Sequence, residues 1–302
     1  MSTATTVVVA VQGDTIDARH HRAEIDDLRN ASGVPCVVMA HGIGATQDSG
    51  LEGFAQVLAA GGLDVVTFDY RHFAASSGEP RQLVSPRLQV DDYLAVVRHA
   101  RTLEGVDPDR IVVWGVSFSG GHVLRVSAQD SRIAGVVALT PAVDGAAVVA
   151  SMLRTQPGSY FTRLIALAVR DAVAGWRGRV PVMAPIVAEV GEPAALNSAG
   201  AVEGMLATAG PTWRNEFAAR LFLTVAAYRP ITSARHIQCP VLVQIGDRDR
   251  SAPPAPAARA AIVSGATVHH YPCDHFDVYP GAAWHERVVR DQVRFLRRTL
   301  AV

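Results

Sequence analysis

The sequence predicts an α/β fold, a mainly parallel sheet flanked by helices, with a helical insertion after the sixth strand. Three observations carry that expectation. Short β-branched runs alternate with amphipathic helical segments over residues 35–139 and again from residue 239 onward, the rhythm of right-handed strand–helix–strand crossovers. One of these units, residues 110–126, holds a serine at a sharp turn between strand and helix. Over residues 142–235 the alternation stops, and the text becomes helical and apolar, punctuated by Pro181, Pro185, Pro193 and Pro211. Residues 1–141 and 236–302 therefore read as the two parts of one core, and residues 142–235 as the insertion.

Taken in order, residues 5–11 and 15–23 read as two antiparallel strands around Gly13-Asp14, a good turn pair. Residues 35–40 are apolar throughout, as in a strand buried on both faces, and they end in His41-Gly42-Ile43-Gly44. A helix is expected over residues 49–60, where Leu51, Phe54, Val57 and Leu58 share a face and Gly61-Gly62 stop it. Residues 65–68 form the next strand and leave it through the loop Asp69-Tyr70-Arg71-His72-Phe73. A helix over residues 88–103 follows, and Asp107-Pro108-Asp109 turns the chain into the strand 111–114. From Phe118 the text is helical again, with Val123, Leu124 and Val126 as apolar positions, and residues 135–139 make the sixth strand.

Within the insertion, helices are expected over residues 146–153, 160–173, 199–208 and 213–228. The sheet resumes at residues 239–246, followed by a short helix over 256–263 and a last strand over 266–271. His269 and His270 sit in that strand and would point to opposite faces. Residues 284–300 close the chain as an amphipathic helix anchored by Trp284, Val288, Phe295 and Leu296.

Composition narrows the function classes. Basic and acidic residues balance at 28 each, so no electrostatic footprint points to nucleic acid or an anionic membrane. Cys36, Cys239 and Cys273 are too few and too far apart for a disulfide framework or a metal knuckle. Residues 1–11 lack the basic start and long apolar run of a secretory signal, and Arg163, Arg170 and Asp171 break the longest apolar region. A cytoplasmic location is the default expectation, with no membrane contact, and a homodimer stays open.

The segment Gly115-Val116-Ser117-Phe118-Ser119, followed by Gly120-Gly121, resembles the Gly-x-Ser-x-Gly nucleophile elbow of the α/β-hydrolase family, with Ser119 in place of the second glycine. Partners in the family's order lie downstream. The loop after residues 239–246 carries Gly246-Asp247-Arg248-Asp249 with Pro253 beyond, and Pro272-Cys273-Asp274-His275-Phe276 follows the last strand. The resemblance implies a triad of Ser117, Asp249 and His275, with Asp247 as the rival acid. It implies an oxyanion hole made of the backbone amides of Ile43 and Phe118, next to glycines that let the main chain approach a substrate. It also implies that residues 142–235 form a cap over the nucleophile. Trp213, Phe217 and His41 are its expected pocket residues, although His41 reads more as a brace of its loop than as a catalyst.

The expected chemistry is hydrolysis of a carboxylic ester or thioester through an acyl-enzyme, with no metal or organic cofactor. The alanine, valine, leucine and aromatic content of the insertion favours a small-molecule acyl substrate of apolar or amphipathic character. Amide or peptide cleavage and acyl transfer to another acceptor use the same machinery. A non-catalytic ligand-binding member of the fold is the alternative from a different class.

Overall fold

A computed structural model describes residues 4–301; residues 1–3, where the stretch read for a secretory signal begins, and residue 302 lie outside the described residues. The chain opens with the antiparallel pair β1 (Thr5–Val11) and β2 (Asp14–His21). It continues through β3 (Val34–Ala40), α1 (Leu51–Ala60), β4 (Asp64–Phe68), α2 (Pro86–Ala100), β5 (Val106–Val116), α3 (Phe118–Gln129) and β6 (Ile133–Leu139). An inserted segment follows, with α4 (Gly145–Thr155), α5 (Gly158–Trp176), β7 (Met183–Ala184), α6 (Ala201–Thr208) and β8 (Phe217–Ala218). The core then closes with β9 (Val241–Gly246), α7 (Pro254–Ser264), β10 (Thr267–Tyr271) and α8 (His285–Thr299).

The main sheet has the order β1-β2-β4-β3-β5-β6-β9-β10. Pairing is antiparallel at β1/β2 and β2/β4 and parallel at every other neighbour. The two faces are read off the pleat, since successive side chains of a strand point to opposite sides. Cys36, Val38 and Ala40 of β3 belong to one apolar core with residues of α2, α3 and α7, among them Tyr93, Leu124 and Ala257. Val37 and Met39 pack with Phe54 and Leu58 of α1 and with Val288 and Leu296 of α8. Because both faces are covered, the central strands carry mostly apolar runs, which is why residues 35–40, 111–114 and 135–139 were legible as strands. Parallel strands bring their carboxyl ends to one edge, and the loops after β3, β5, β9 and β10 gather there.

Two expectations need correction. Asp107-Pro108-Asp109 does not turn into β5 but lies inside it, at a register shift between the pairings of Val34 and Cys36, where Asp107 accepts the Asp109 amide at 3.0 Å. The helix expected over residues 213–228 does not form. In its place are β8, paired with β7, and two short 3-10 turns at Ala219–Leu223 and Val225–Ala227. The cause is competition for backbone donors. The amides of Ala218, Ala219 and Arg220 go to Gln82 O at 2.9 Å, Val182 O at 3.0 Å and the buried Asp171 carboxylate at 2.8 Å, so no α-helical ladder can start through them. His269 and His270 do diverge as expected, toward Asp291 and Asp247 respectively.

Candidate active site

The site is built outward from the end of β5. Ser117 has φ 58° and ψ −118°, a backbone conformation that side-chain-bearing residues seldom adopt and that costs about 1–3 kcal/mol. The surroundings hold it there. Its amide donates to Leu139 O at 2.9 Å, and its carbonyl accepts from Ala142 N at 2.8 Å. The turn is tight enough that a Cβ on Gly115 would stand 2.3 Å from the Ser119 carbonyl oxygen, so glycine there is required by contact. Ser119, where the family pattern has glycine, is accommodated by a specific partner: its hydroxyl lies 3.0 Å from the Tyr70 hydroxyl, in the loop after β4.

His275 enters from the loop after β10. Its Nε2 is 3.0 Å from Ser117 Oγ, and its Nδ1 is 2.7 Å from Asp249 Oδ2. The other Asp249 oxygen accepts the amides of Ser251 at 2.9 Å and Ala252 at 2.6 Å, which fixes the carboxylate plane. All three side chains are buried. Asp247 stands apart, exposed and bonded to His270 Nδ1 at 2.7 Å. Of the two acids on this loop, the structure brings Asp249 to His275 and leaves Asp247 outside. Burial alone would depress the His275 pKa, but the Asp249 charge and hydrogen bond, with the Asp274 charge behind them, outweigh it and hold the value above that of an ordinary histidine.

The loop after β3 closes the other side. A Cβ on Gly42 would lie 3.1 Å from Ser117 Cβ and 3.5 Å from Oγ, so the main chain of this loop runs directly beside the serine. The amides of Ile43, one residue on, and of Phe118, the first residue of α3, have no backbone acceptor among the described residues. Gln47 anchors the loop from below. Its amide donates to Asp69 Oδ1 at 2.7 Å and its side-chain nitrogen to Asp69 Oδ2 at 2.9 Å; burial pushes the Asp69 pKa up to about 7 despite both bonds.

The remaining sequence candidates fall elsewhere. His41 is buried edge-on against Tyr70, with Nδ1 2.9 Å from Gly42 O, and burial lowers its pKa to about 4, so it is a neutral brace within the loop. Phe217 lies in β8 against Phe222, and Trp213 packs on the core with its indole N–H unpartnered. Neither lines the space at Ser117. That space is bordered by Leu196, Met205 and Thr208 of the inserted segment and by Phe276 and Tyr279 of the His275 loop. Leu196 and Met205 have no motif signal; only the apolar character of the insertion pointed to residues of their kind. A second buried group was also missed: His122 of α3 bonds the Tyr228 hydroxyl and Gln89 Oε1, the latter at 3.0 Å. Among the described residues, no three His, Cys, Asp or Glu side chains are grouped to hold a metal ion, and no helix is long and apolar enough to cross a membrane.

A strand–serine–helix elbow after β5, a carboxylate after β9 and a histidine after β10, all on parallel strands of one sheet, define a class. Residues 35–282 match the model of the alpha/beta hydrolase fold, and the chain belongs to that family. It is 40% identical over 271 residues to the quorum-quenching protein AidA of Acinetobacter baumannii, covering 89% of this chain and 88% of that one. It is 26% identical over 294 residues to thiohydrolase aneE of Aspergillus aculeatus, covering 91% and 88%. The crystal structure of the alpha/beta hydrolase GrgF from Penicillium sp. superposes with a TM-score of 0.80 at 21% identity, over 99% of this chain and 100% of that one, a likeness of fold.

Proposed function

We propose that the protein is a serine hydrolase that cleaves a carboxylic ester or thioester of an apolar or amphipathic small molecule. The observation that carries this reading is the unbroken relay Ser117 Oγ, His275 Nε2, His275 Nδ1, Asp249 Oδ2, with steps of 3.0 and 2.7 Å. In this reading His275 takes the Ser117 proton as Oγ attacks the carbonyl carbon, and Asp249 holds the tautomer with Nε2 unprotonated and stabilises the imidazolium. The oxyanion of the tetrahedral intermediate accepts from the Ile43 and Phe118 amides, each such donor being worth about 3 kcal/mol of barrier. His275 then protonates the leaving alkoxide or thiolate, and water activated by the same imidazole releases the acid. The inserted segment acts as a cap, since Leu196, Met205 and Thr208 face Ser117 across the space.

The test is turnover of p-nitrophenyl esters and an acyl thioester by wild type and Ser117→Ala. The expected result is hydrolysis that falls to background in Ser117→Ala, with an unchanged circular dichroism spectrum because a hydroxyl is removed from a site already shaped by the backbone. Retention of most activity by Ser117→Ala would sink the reading.

A further inference from the structure

The space in front of Ser117 is narrow. It measures about 10 Å³ between Gly42, Ile43 and His275 on the core side and Leu196 and Met205 of the insertion. That is about the room one water molecule occupies, too little for an acyl group. A cleft of about 480 Å³ adjoins it on the Asp249 side, walled by Val148 and Met152 of α4, by Val190 and Leu196, and by Pro253. Leu196 belongs to both walls. Its main chain is fixed: its amide donates to Ile186 O at 2.8 Å and its carbonyl accepts from Ala188 N at 3.1 Å. Its half-buried isobutyl group packs on the core at the boundary of the two spaces, and a change of rotamer would move it without any backbone rearrangement.

We propose that this cleft binds an aliphatic chain of the substrate and that the Leu196 side chain is the gate between the chain and Ser117. The two charged groups at its edge are already engaged, Asp249 with His275 and Arg250 with Asp274, so the cleft offers a chain the apolar surface of Val148, Met152 and Leu196 beside uncharged polar side chains such as Gln156 and Asn197, and no free charge. Met152 gives that wall an adaptable side chain, suited to an unbranched chain more than to a rigid ring. The other large cavity near the site, about 660 Å³ beneath α6, is lined by Glu203, Arg250, Asp274 and Asp277 and is the poorer match to a hydrocarbon. The proposal rests on Ser117 as nucleophile and adds the substrate class and the route to it.

The test uses the full chain carrying Met152→Trp, which fills the cleft, Val148→Trp as a second filling variant should the first misfold, and Leu196→Ala. Each is measured on p-nitrophenyl acetate, butyrate, octanoate and dodecanoate. In a Ser117→Ala background each is also titrated with dansyl-undecanoic acid. The filling variants are expected to lose about tenfold or more in kcat/KM on the two long esters while acetate stays within about twofold, and to lose binding of the dansyl probe. Leu196→Ala is expected to raise the octanoate-to-acetate ratio. Equal losses on all esters, an unchanged long-chain preference, or a ratio that falls in Leu196→Ala would overturn the proposal. Should Ser117→Ala keep wild-type turnover, or should no ester react, the nucleophile assignment fails on its own. The dansyl titration then still decides the cleft: weakened binding in the filling variants supports it and unchanged binding removes it.

Discussion

Asp247 and Asp249 stand two positions apart on one loop, yet their surroundings give them different chemistry. Asp249 is buried, with one oxygen held by two backbone amides and the other on His275, whereas Asp247 is exposed on His270. Asp249→Asn replaces the acceptor of the imidazole N–H by an amide that cannot hold the same tautomer. The expected loss in kcat is about 10⁴-fold, the scale of that change in serine proteases. Asp247→Asn is expected to stay within a few-fold, since an exposed pair contributes little. Steady-state kinetics on the two variants decides the matter, and equal losses would return Asp247 to contention. The family's Gly-x-x-Asp spacing with Pro253 beyond already favoured Asp249 in the sequence, with Asp247 as rival; the physical reason, which carboxylate the loop turns inward, is a property of backbone amides that side-chain text does not display.

At the scale of elements, the loops after β9 and β10 act as one unit. Arg250, next to Asp249, donates its amide to Asp274 at 3.0 Å and pairs its guanidinium with the same carboxylate, and Asp274 accepts the His275 amide at 2.8 Å. Asp274 therefore ties acid loop to histidine loop while its charge helps hold the His275 pKa up. A raised pKa keeps the imidazole protonated to higher pH, and a base must be unprotonated to act. The kcat/KM profile is thus expected to rise with pH through a value above about 6.5, the ordinary histidine figure. Asp274→Asn removes one of the charges that raise it, so this acidic limb should move to lower pH; a limb that stays put or moves upward would contradict the assignment. The same scale shows where the text misleads. The strands β3, β6 and β9 and the second half of β5 were readable because burial on both faces selects short, largely apolar runs. Residues 213–228 look just as helical, but Gln82, Val182 and Asp171 claim the amides an α-helix would need, and those partners are remote in sequence.

For the whole molecule, the core presents Ser117, His275 and Asp249 at one edge of the sheet, and the chain between β6 and β9 borders the space there with Leu196, Met205 and Thr208. Anchors to the core hold it there: Thr212 donates its amide and hydroxyl to Asp48 at 3.1 and 2.9 Å, and Gly210 donates to Ser49 Oγ at 3.2 Å. Asp48 and Ser49 lie in the same β3–α1 loop as Ile43, so the inserted segment is fastened to the loop that would bind the oxyanion. That the strand–helix rhythm stops between β6 and β9 was legible in the sequence. The residues of that segment beside Ser117 were not, because aromatic content drew attention to Trp213 and Phe217 while the pairing of Val187 with Leu196 brings Leu196 there. The central claim is that Ser117 is the nucleophile activated by His275. Its most direct measurement is labelling of the native protein with a fluorophosphonate, followed by peptide mass spectrometry. The account predicts a single phosphonyl adduct on Ser117, absent in Ser117→Ala and formed far more slowly in His275→Gln. An adduct on Ser119 or any other serine, or one that forms at the wild-type rate without His275, would contradict it.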